Sequence, residues 1–320
     1  MKKIMFALTA MAAAFAVQSA SAQTVKVTPL GSHDGEFCRN DRAMVFEDPD
    51  GTRILYDAGR TVRGADDPRL GSKIDAVLLS HVHADHLGDA YPSAANAGAC
   101  ATPDSSVKVL PDSNTVKIAV AKKAKLLVGG EMNYFMAAKV KAAGGNPADV
   151  LVLRFGASRK IGGVTIISVP AAHSNGVGPE FLEEMYSKAL VANGLTAYVG
   201  PAGGYVLQFS NGLGVYLSGD TGVIADQELV IGKYYKPQLA VMNIGGIFST
   251  GPKEGAYVVD DLVKAKAVII SHANEEATKG GKVVGNNTKA YIAASKAKVA
   301  IPLSGKTMEF DKDGTCKAGC

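Results

Sequence analysis

The sequence predicts an α/β protein folded as a four-layer αββα sandwich, and three observations carry that expectation. Short β-branched runs recur along the chain, helical patterns fall between them, and the runs at 76–79, 239–243 and 267–270 are apolar on successive residues. A strand that is apolar on every residue is covered on both faces. Two sheets packed on each other, with helices outside both, satisfy that requirement.

The elements follow in order. Residues 24–29, 43–46, 53–56 and 76–79 read as successive strands, followed by 126–128, 150–154 and 164–169. Residues 205–209 and 214–217 flank Ser210-Asn211-Gly212, a hairpin signal. Residues 239–243, 267–270 and 299–301 complete the strands. Helical spacing marks 133–143 through Phe135, Met136 and Val140, and 180–191 through Phe181, Leu182, Met185 and Leu190. Residues 225–235, 253–264 and 288–298 fit the same period.

The N-terminus reads as a secretory leader over 1–22. Lys2 and Lys3 open it, an apolar run extends from Ile4 to Val17, and Ala20-Ser21-Ala22 precedes Gln23 as the cleavage signal. The apolar run is shorter than the ~20 residues a membrane span needs. The expectation is a periplasmic or secreted protein, with residues 23–320 forming one domain that does not insert into a membrane. The formal charge is +4, of which the leader's two lysines account for half, and no Lys/Arg cluster stands out. Nucleic acid is therefore not an expected partner, and a small molecule is. The four cysteines, Cys38, Cys100, Cys316 and Cys320, allow three disulfide pairings. Cys38 with Cys100 and Cys316 with Cys320 is the preferred one, over a zinc site in the short polar tail.

The chemistry concentrates in His81-Val82-His83-Ala84-Asp85-His86, at the end of the apolar run 76–79. Imidazole is the commonest protein ligand for divalent metals, and carboxylate is a regular companion. In extended backbone His81 and His83 face the same way, while Asp85 and His86 come after the turn. His173 and His272 also follow strands, and Asp220, in Ser218-Gly219-Asp220-Thr221-Gly222, ends another. Asp57, in Tyr56-Asp57-Ala58-Gly59, is read as a carboxylate that orients a ligand imidazole through its other nitrogen. His33 is a loop residue at the mouth of such a site. Phe181, Leu182, Met185 and Tyr186 form a candidate apolar flap.

These stretches resemble the metallo-β-lactamase superfamily, whose His-x-His-x-Asp-His signature is complete at 81–86. The resemblance runs through the whole of 23–320 and implies the αββα sandwich. It also implies one metal held by His81, His83 and His173, a second held by Asp85, His86 and His272, and Asp220 between them. Residues 219–252 and Val199-Gly200-Pro201-Ala202-Gly203-Gly204-Tyr205 are similar to the branch that includes the L-ascorbate-6-phosphate lactonases. The chain departs from that branch after His272, where Ala273-Asn274-Glu275-Glu276 stands. In that branch Ser249 and Thr250 lie on a loop beside the site, which makes them candidate substrate contacts.

The implied cofactors are two divalent ions, zinc by default with manganese or iron as alternatives. Such a pair activates a water held between the ions for attack on a carbonyl or phosphoryl centre, with Asp85 placed to orient it and pass on a proton. The expected activity is hydrolysis of a lactone, cyclic ester or amide. The alternatives are phosphoester or phosphodiester hydrolysis, a β-lactamase-like activity, and an iron-dependent oxidoreductase on the same fold.

Overall fold

A computed structural model describes residues 23–320. The leader expected over 1–22 lies outside the described residues. The chain forms two large mixed sheets with helices on their outer faces, the expected αββα sandwich. In the first sheet the spatial order is Val150–Val152, Lys125–Val128, Ala76–Leu78, Arg53–Tyr56, Met44–Glu47, Val25–Pro29, Met308–Phe310, Cys316–Ala318. In the second it is Ser158–Ile161, Val164–Pro170, Gly203–Gln208, Gly214–Leu217, Leu239–Asn243, Ala267–Ser271, Lys298–Ala300.

Strand alternation divides the apolar residues among three cores. Ile54, Tyr56, Ala76 and Leu78 point between the sheets, where they meet Leu217, Leu239, Val241 and Ile269 from the other side. Their neighbours Leu55, Val77 and Leu79 point outward, under helices Asn114–Lys122 and Met132–Ala142. In the second sheet Ala240, Met242, Val268 and Ile270 point outward, against Val258, Val259 and Tyr291. The consecutive apolar residues in these strands thus fill two different layers, which is why they lack the polar–apolar alternation of a half-exposed strand.

Most strand positions agree with the sequence pattern, and the differences have local causes. Helix Asn114–Lys122 is rich in β-branched residues and lacks a clear helical signal. It is set instead by Ser113, whose hydroxyl accepts from Val116 N at 3.2 Å as an N-cap. The helix expected over 180–191 is interrupted: Pro179–Phe181 forms one short turn and Glu184–Asn193 the helix proper. The helix expected over 288–298 runs Asn286–Ala294, because Lys298–Ala300 already pairs with Ala267–Ser271. Strands Ser158–Ile161, Met308–Phe310 and Cys316–Ala318 lie at or near sheet edges and are short and largely polar or isolated in sequence. The cysteines pair as Cys38–Cys100 and Cys316–Cys320. Among the described residues no helix is long and apolar enough to cross a membrane.

The topology positions the site. Arg53–Tyr56 and Ala76–Leu78 run parallel, as do Gly214–Leu217, Leu239–Asn243 and Ala267–Ser271. Val164–Pro170 has the same direction as these last three, since both it and Gly214–Leu217 are antiparallel to Gly203–Gln208. Their C-terminal ends therefore share one edge of each sheet. The two edges are tied together by Gly203 N donating to Ser80 O (3.1 Å) and Gly219 N donating to the Tyr56 hydroxyl (2.9 Å).

Candidate metal centre

Each residue singled out for metal chemistry leaves one of those strand ends. Asp57 follows Arg53–Tyr56, His81 follows Ala76–Leu78, His173 follows Val164–Pro170, Asp220 follows Gly214–Leu217, and His272 follows Ala267–Ser271. His83, Asp85 and His86 lie on the turn and short helix Ala84–Leu87. That turn packs closely on the loop after Asp57. Gly59 sits at φ +52°, and a β-carbon there would run into the carbonyl oxygen of Asp85. Glycine alone meets both demands.

The side chains converge as two donor sets, with His81, His86 and Asp220 forming a third group that overlaps both. His81 Nε2 lies 3.0 Å from His83 Nδ1, and His173 Nε2 lies 3.1 Å from the same His83 atom. These three form one group of potential ligand atoms. Asp85, His86 and His272 form another: Asp85 Oδ2 is 3.3 Å from His272 Nε2 and 3.9 Å from His86 Nε2. Asp220 reaches toward both sets. Its Oδ1 is 3.5 Å from His86 Nε2, and its Oδ2 is 3.2 Å from His272 Nε2 and 3.9 Å from His173 Nε2.

Hydrogen bonds behind the donors select which nitrogens face inward. Asp57 is fully buried, and its Oδ2 lies 2.8 Å from His86 Nδ1. The same oxygen accepts from Ser80 Oγ (2.7 Å), while Asp57 Oδ1 accepts from Ser80 N (2.8 Å). Ser80 Oγ in turn lies 3.0 Å from His81 Nδ1. One carboxylate and one hydroxyl thus occupy the Nδ1 atoms of one imidazole from each set and leave both Nε2 lone pairs turned into the site.

Electrostatics match a cation site. Burial, and then the neighbouring His86, holds His81 well below the ordinary histidine range. Burial also lowers His83 and His173, which favours the neutral form that binds metal. Burial opposes charge on His86 too, but the Asp220 carboxylate, with Asp57 and Asp85, raises it to about 9. Asp220 is buried, yet His272 and His86 keep it well below the usual carboxylate range. Burial likewise works against a charged Asp85, and the guanidinium of Arg42, with His86 and His272, overcomes it. His86 Nε2 and Asp220 Oδ1 are buried and make no hydrogen bond. Two such polar atoms facing each other across 3.5 Å are costly unless something between them is bound. A divalent cation fits that position and that donor chemistry.

The donors open onto a cleft of about 340 Å³. Besides His83, Asp85, His173, Asp220 and His272, its walls include Arg39, Asn40, Arg42, Arg60, Phe248 and Asn274. None of these six belongs to a metal-ligand motif in the sequence. Arg39, Asn40 and Arg42 share the run Cys38-Arg39-Asn40-Asp41-Arg42, which has no ligand or motif pattern of its own.

The residues expected to line the site lie elsewhere than on the cleft walls. Phe181 is buried in the core outside the first sheet, with Leu182 packed against the same core. Met185 and Tyr186, on Glu184–Asn193, face solvent outside the cleft walls. His33 is held in its loop, its ring 3.0 Å from Ser32 Oγ and 3.1 Å from Gly98 O. Ser249 and Thr250 direct their hydroxyls to the side-chain amide of Asn243 (2.6 and 3.0 Å), and Thr250 is buried. They shape the loop that carries Phe248 and do not line the cleft.

Comparison with known proteins agrees with this geometry. Residues 52–273 match the family model described as the beta-lactamase superfamily domain. A UPF0173 metal-dependent hydrolase from Thermococcus onnurineus is 31% identical over 232 residues, 72% of this chain and 80% of that protein. Another from Cupriavidus taiwanensis is 28% identical over 249 residues, 76% of this chain and 73% of that protein. Among solved structures, the metallo hydrolase Igni18 of Ignicoccus hospitalis superposes with a TM-score of 0.58 at 20% identity, covering 90% of this chain and 99% of that one. The strand-end histidines and carboxylates therefore stand in the fold and family their spacing pointed to: the chain belongs to the metallo-β-lactamase superfamily and, within it, to the metal-dependent hydrolases.

Proposed function

We propose that the protein is a dinuclear, zinc-loaded hydrolase, exported through its leader, that cleaves a lactone or another cyclic ester or amide. The observation that carries this reading is the meeting of two three-donor sets at Asp220, which reaches atoms of both. His81, His83 and His173 would hold one ion and Asp85, His86 and His272 the other. When bound, two such ions lower the pKa of water from 15.7 toward about 7 and polarise a carbonyl oxygen.

The chain's own contribution is orientation and charge. Asp57 and Ser80 lock His86 and His81 with Nε2 inward, so the donor geometry exists before anything binds. Arg42 keeps Asp85 ionised. A carboxylate held that low serves as a donor and as an acceptor for a water in the cleft, and it does not store a proton at neutral pH. Asp220, whose carboxylate reaches atoms of both sets, would hold the two ions at one centre. The cleft walls admit a small molecule from one side, and the buried strand ends close the other.

A panel of lactones, phosphodiesters and a chromogenic β-lactam, assayed with the zinc-reconstituted protein, tests the reading. Turnover of lactones above the other two classes supports it. Phosphodiester turnover in their place moves the assignment to phosphoryl transfer on the same donors.

A further inference from the structure

One of the three arginines on the cleft wall is left without an ion pair among the described residues. Arg42 is paired with Asp85, and Arg60 with Asp89, its Nη2 lying 3.0 Å from Asp89 Oδ2. Arg39 lines the same cleft with no ion pair or side-chain hydrogen bond among the described residues. Its guanidinium is thus a free planar donor beside a centre that is itself suited to cations. An arginine in that setting matches a carboxylate or phosphate group.

The Arg39 side chain is exposed, and its backbone is held in place. Cys38 is disulfide-bonded to Cys100, and Arg39 N donates to Cys100 O at 3.2 Å. Asp41 turns the loop inward: its carboxylate accepts from Ser32 N (2.9 Å) and Cys38 N (2.8 Å). The carbonyl of Asp41 accepts from His272 N at 3.2 Å, which ties the loop to a strand end that supplies a donor. Arg39 is therefore carried on a segment fixed relative to the centre, which reduces the ordering cost of binding. Phe248, on the cleft wall and 69% exposed, supplies an apolar surface in the same space.

We propose that Arg39 forms an anion subsite, and that the substrate carries a carboxylate or phosphate group bound there while its scissile bond lies at the donor sets and its apolar part lies along Phe248. This rests on the hydrolase reading above and narrows its substrate class. Neutral lactones are then poorer substrates than lactones bearing a remote acidic group.

Calorimetry on the zinc-loaded protein tests the subsite with three small probes. Butyrate offers one carboxylate, glutarate adds a second, and 4-phosphonobutyrate replaces that second group with a phosphonate. The wild-type protein is expected to bind glutarate about tenfold more tightly than butyrate, the gain from one charge-assisted contact. In Arg39→Ala the ratio falls to about one, and in Arg39→Lys it is intermediate. Phosphonobutyrate binding above or below glutarate assigns the anion as phosphate-like or carboxylate-like, both within the proposal. A wild-type ratio near one overturns it, as does a high ratio that Arg39→Ala leaves intact. Zinc content and melting temperature are read on the same samples. A chain that takes up no metal removes the hydrolase reading, while the ratio still reports on Arg39, which is present with or without cations.

Discussion

Asp57 Oδ2 lies 2.8 Å from His86 Nδ1, and that contact decides which nitrogen of His86 faces the centre. Because the same carboxylate also accepts from Ser80 N and Ser80 Oγ, an amide at this position cannot satisfy all three partners. Asp57→Asn is expected to weaken metal binding about 10–100-fold. Chelator competition on the purified variant checks this, and wild-type affinity would separate Asp57 from the centre.

Asp220 is the side chain that reaches both donor sets. Asp220→Asn should lower metal content from two ions toward one and reduce turnover about 100-fold or more, about 2.7 kcal/mol or more of transition-state stabilisation. Elemental analysis alongside kinetics separates the two effects. Full metal content with full activity would remove Asp220 from the centre.

Gly59 is required by geometry, not by chemistry. At φ +52°, with the Asp85 carbonyl oxygen too close to where a β-carbon would stand, Gly59→Ala combines backbone strain with a steric clash. A loss of about 2–4 kcal/mol in unfolding free energy is expected, together with weaker metal binding as the 83–86 turn is displaced. Denaturant titration measures the first and chelator competition the second.

Asp41 gives the fold a pH dependence of defined sign. Burial pushes its carboxyl up to about 6, against the hydrogen bonds from Cys38 and Ser32. A folded pKa raised above the unfolded value near 3.8 means the native state binds the extra proton. Its contribution is fully present below the unfolded value and is lost as pH rises through about 6. Relative to Asp41→Asn, the wild-type melting temperature should therefore fall between pH 4 and pH 7. A difference that is flat or rises over that range contradicts the assignment.

The parts of this molecule that were legible in sequence are those fixed by local pattern. Apolar residues on consecutive positions at 76–78 and 267–270 required cover on both faces, and the three cores provide it. The spacing of His81, His83, Asp85 and His86 placed four donors on one strand end and turn, and His173, Asp220 and His272 arrive at the same edge because their strands run in one direction. The cleft walls were not legible. Arg39, Arg42 and Arg60 look like ordinary surface charges in sequence, and only tertiary closure brings them beside Asp85. Phe181 and Met185 lie in one amphipathic pattern, yet the break after Pro179–Phe181 buries the first and exposes the second. The Thr250 hydroxyl is used internally, donating to the Asn243 carbonyl, which only the folded loop reveals.

Metal stoichiometry is the most direct test of the central claim, that seven side chains from four strand ends grip a pair of cations. The protein, stripped with chelator, reconstituted with zinc and desalted, is analysed for metal per chain beside His81→Ala and His272→Ala. The account predicts about two ions in the wild type and about one in each variant. No bound metal in the wild type, or the same content in all three proteins, contradicts it.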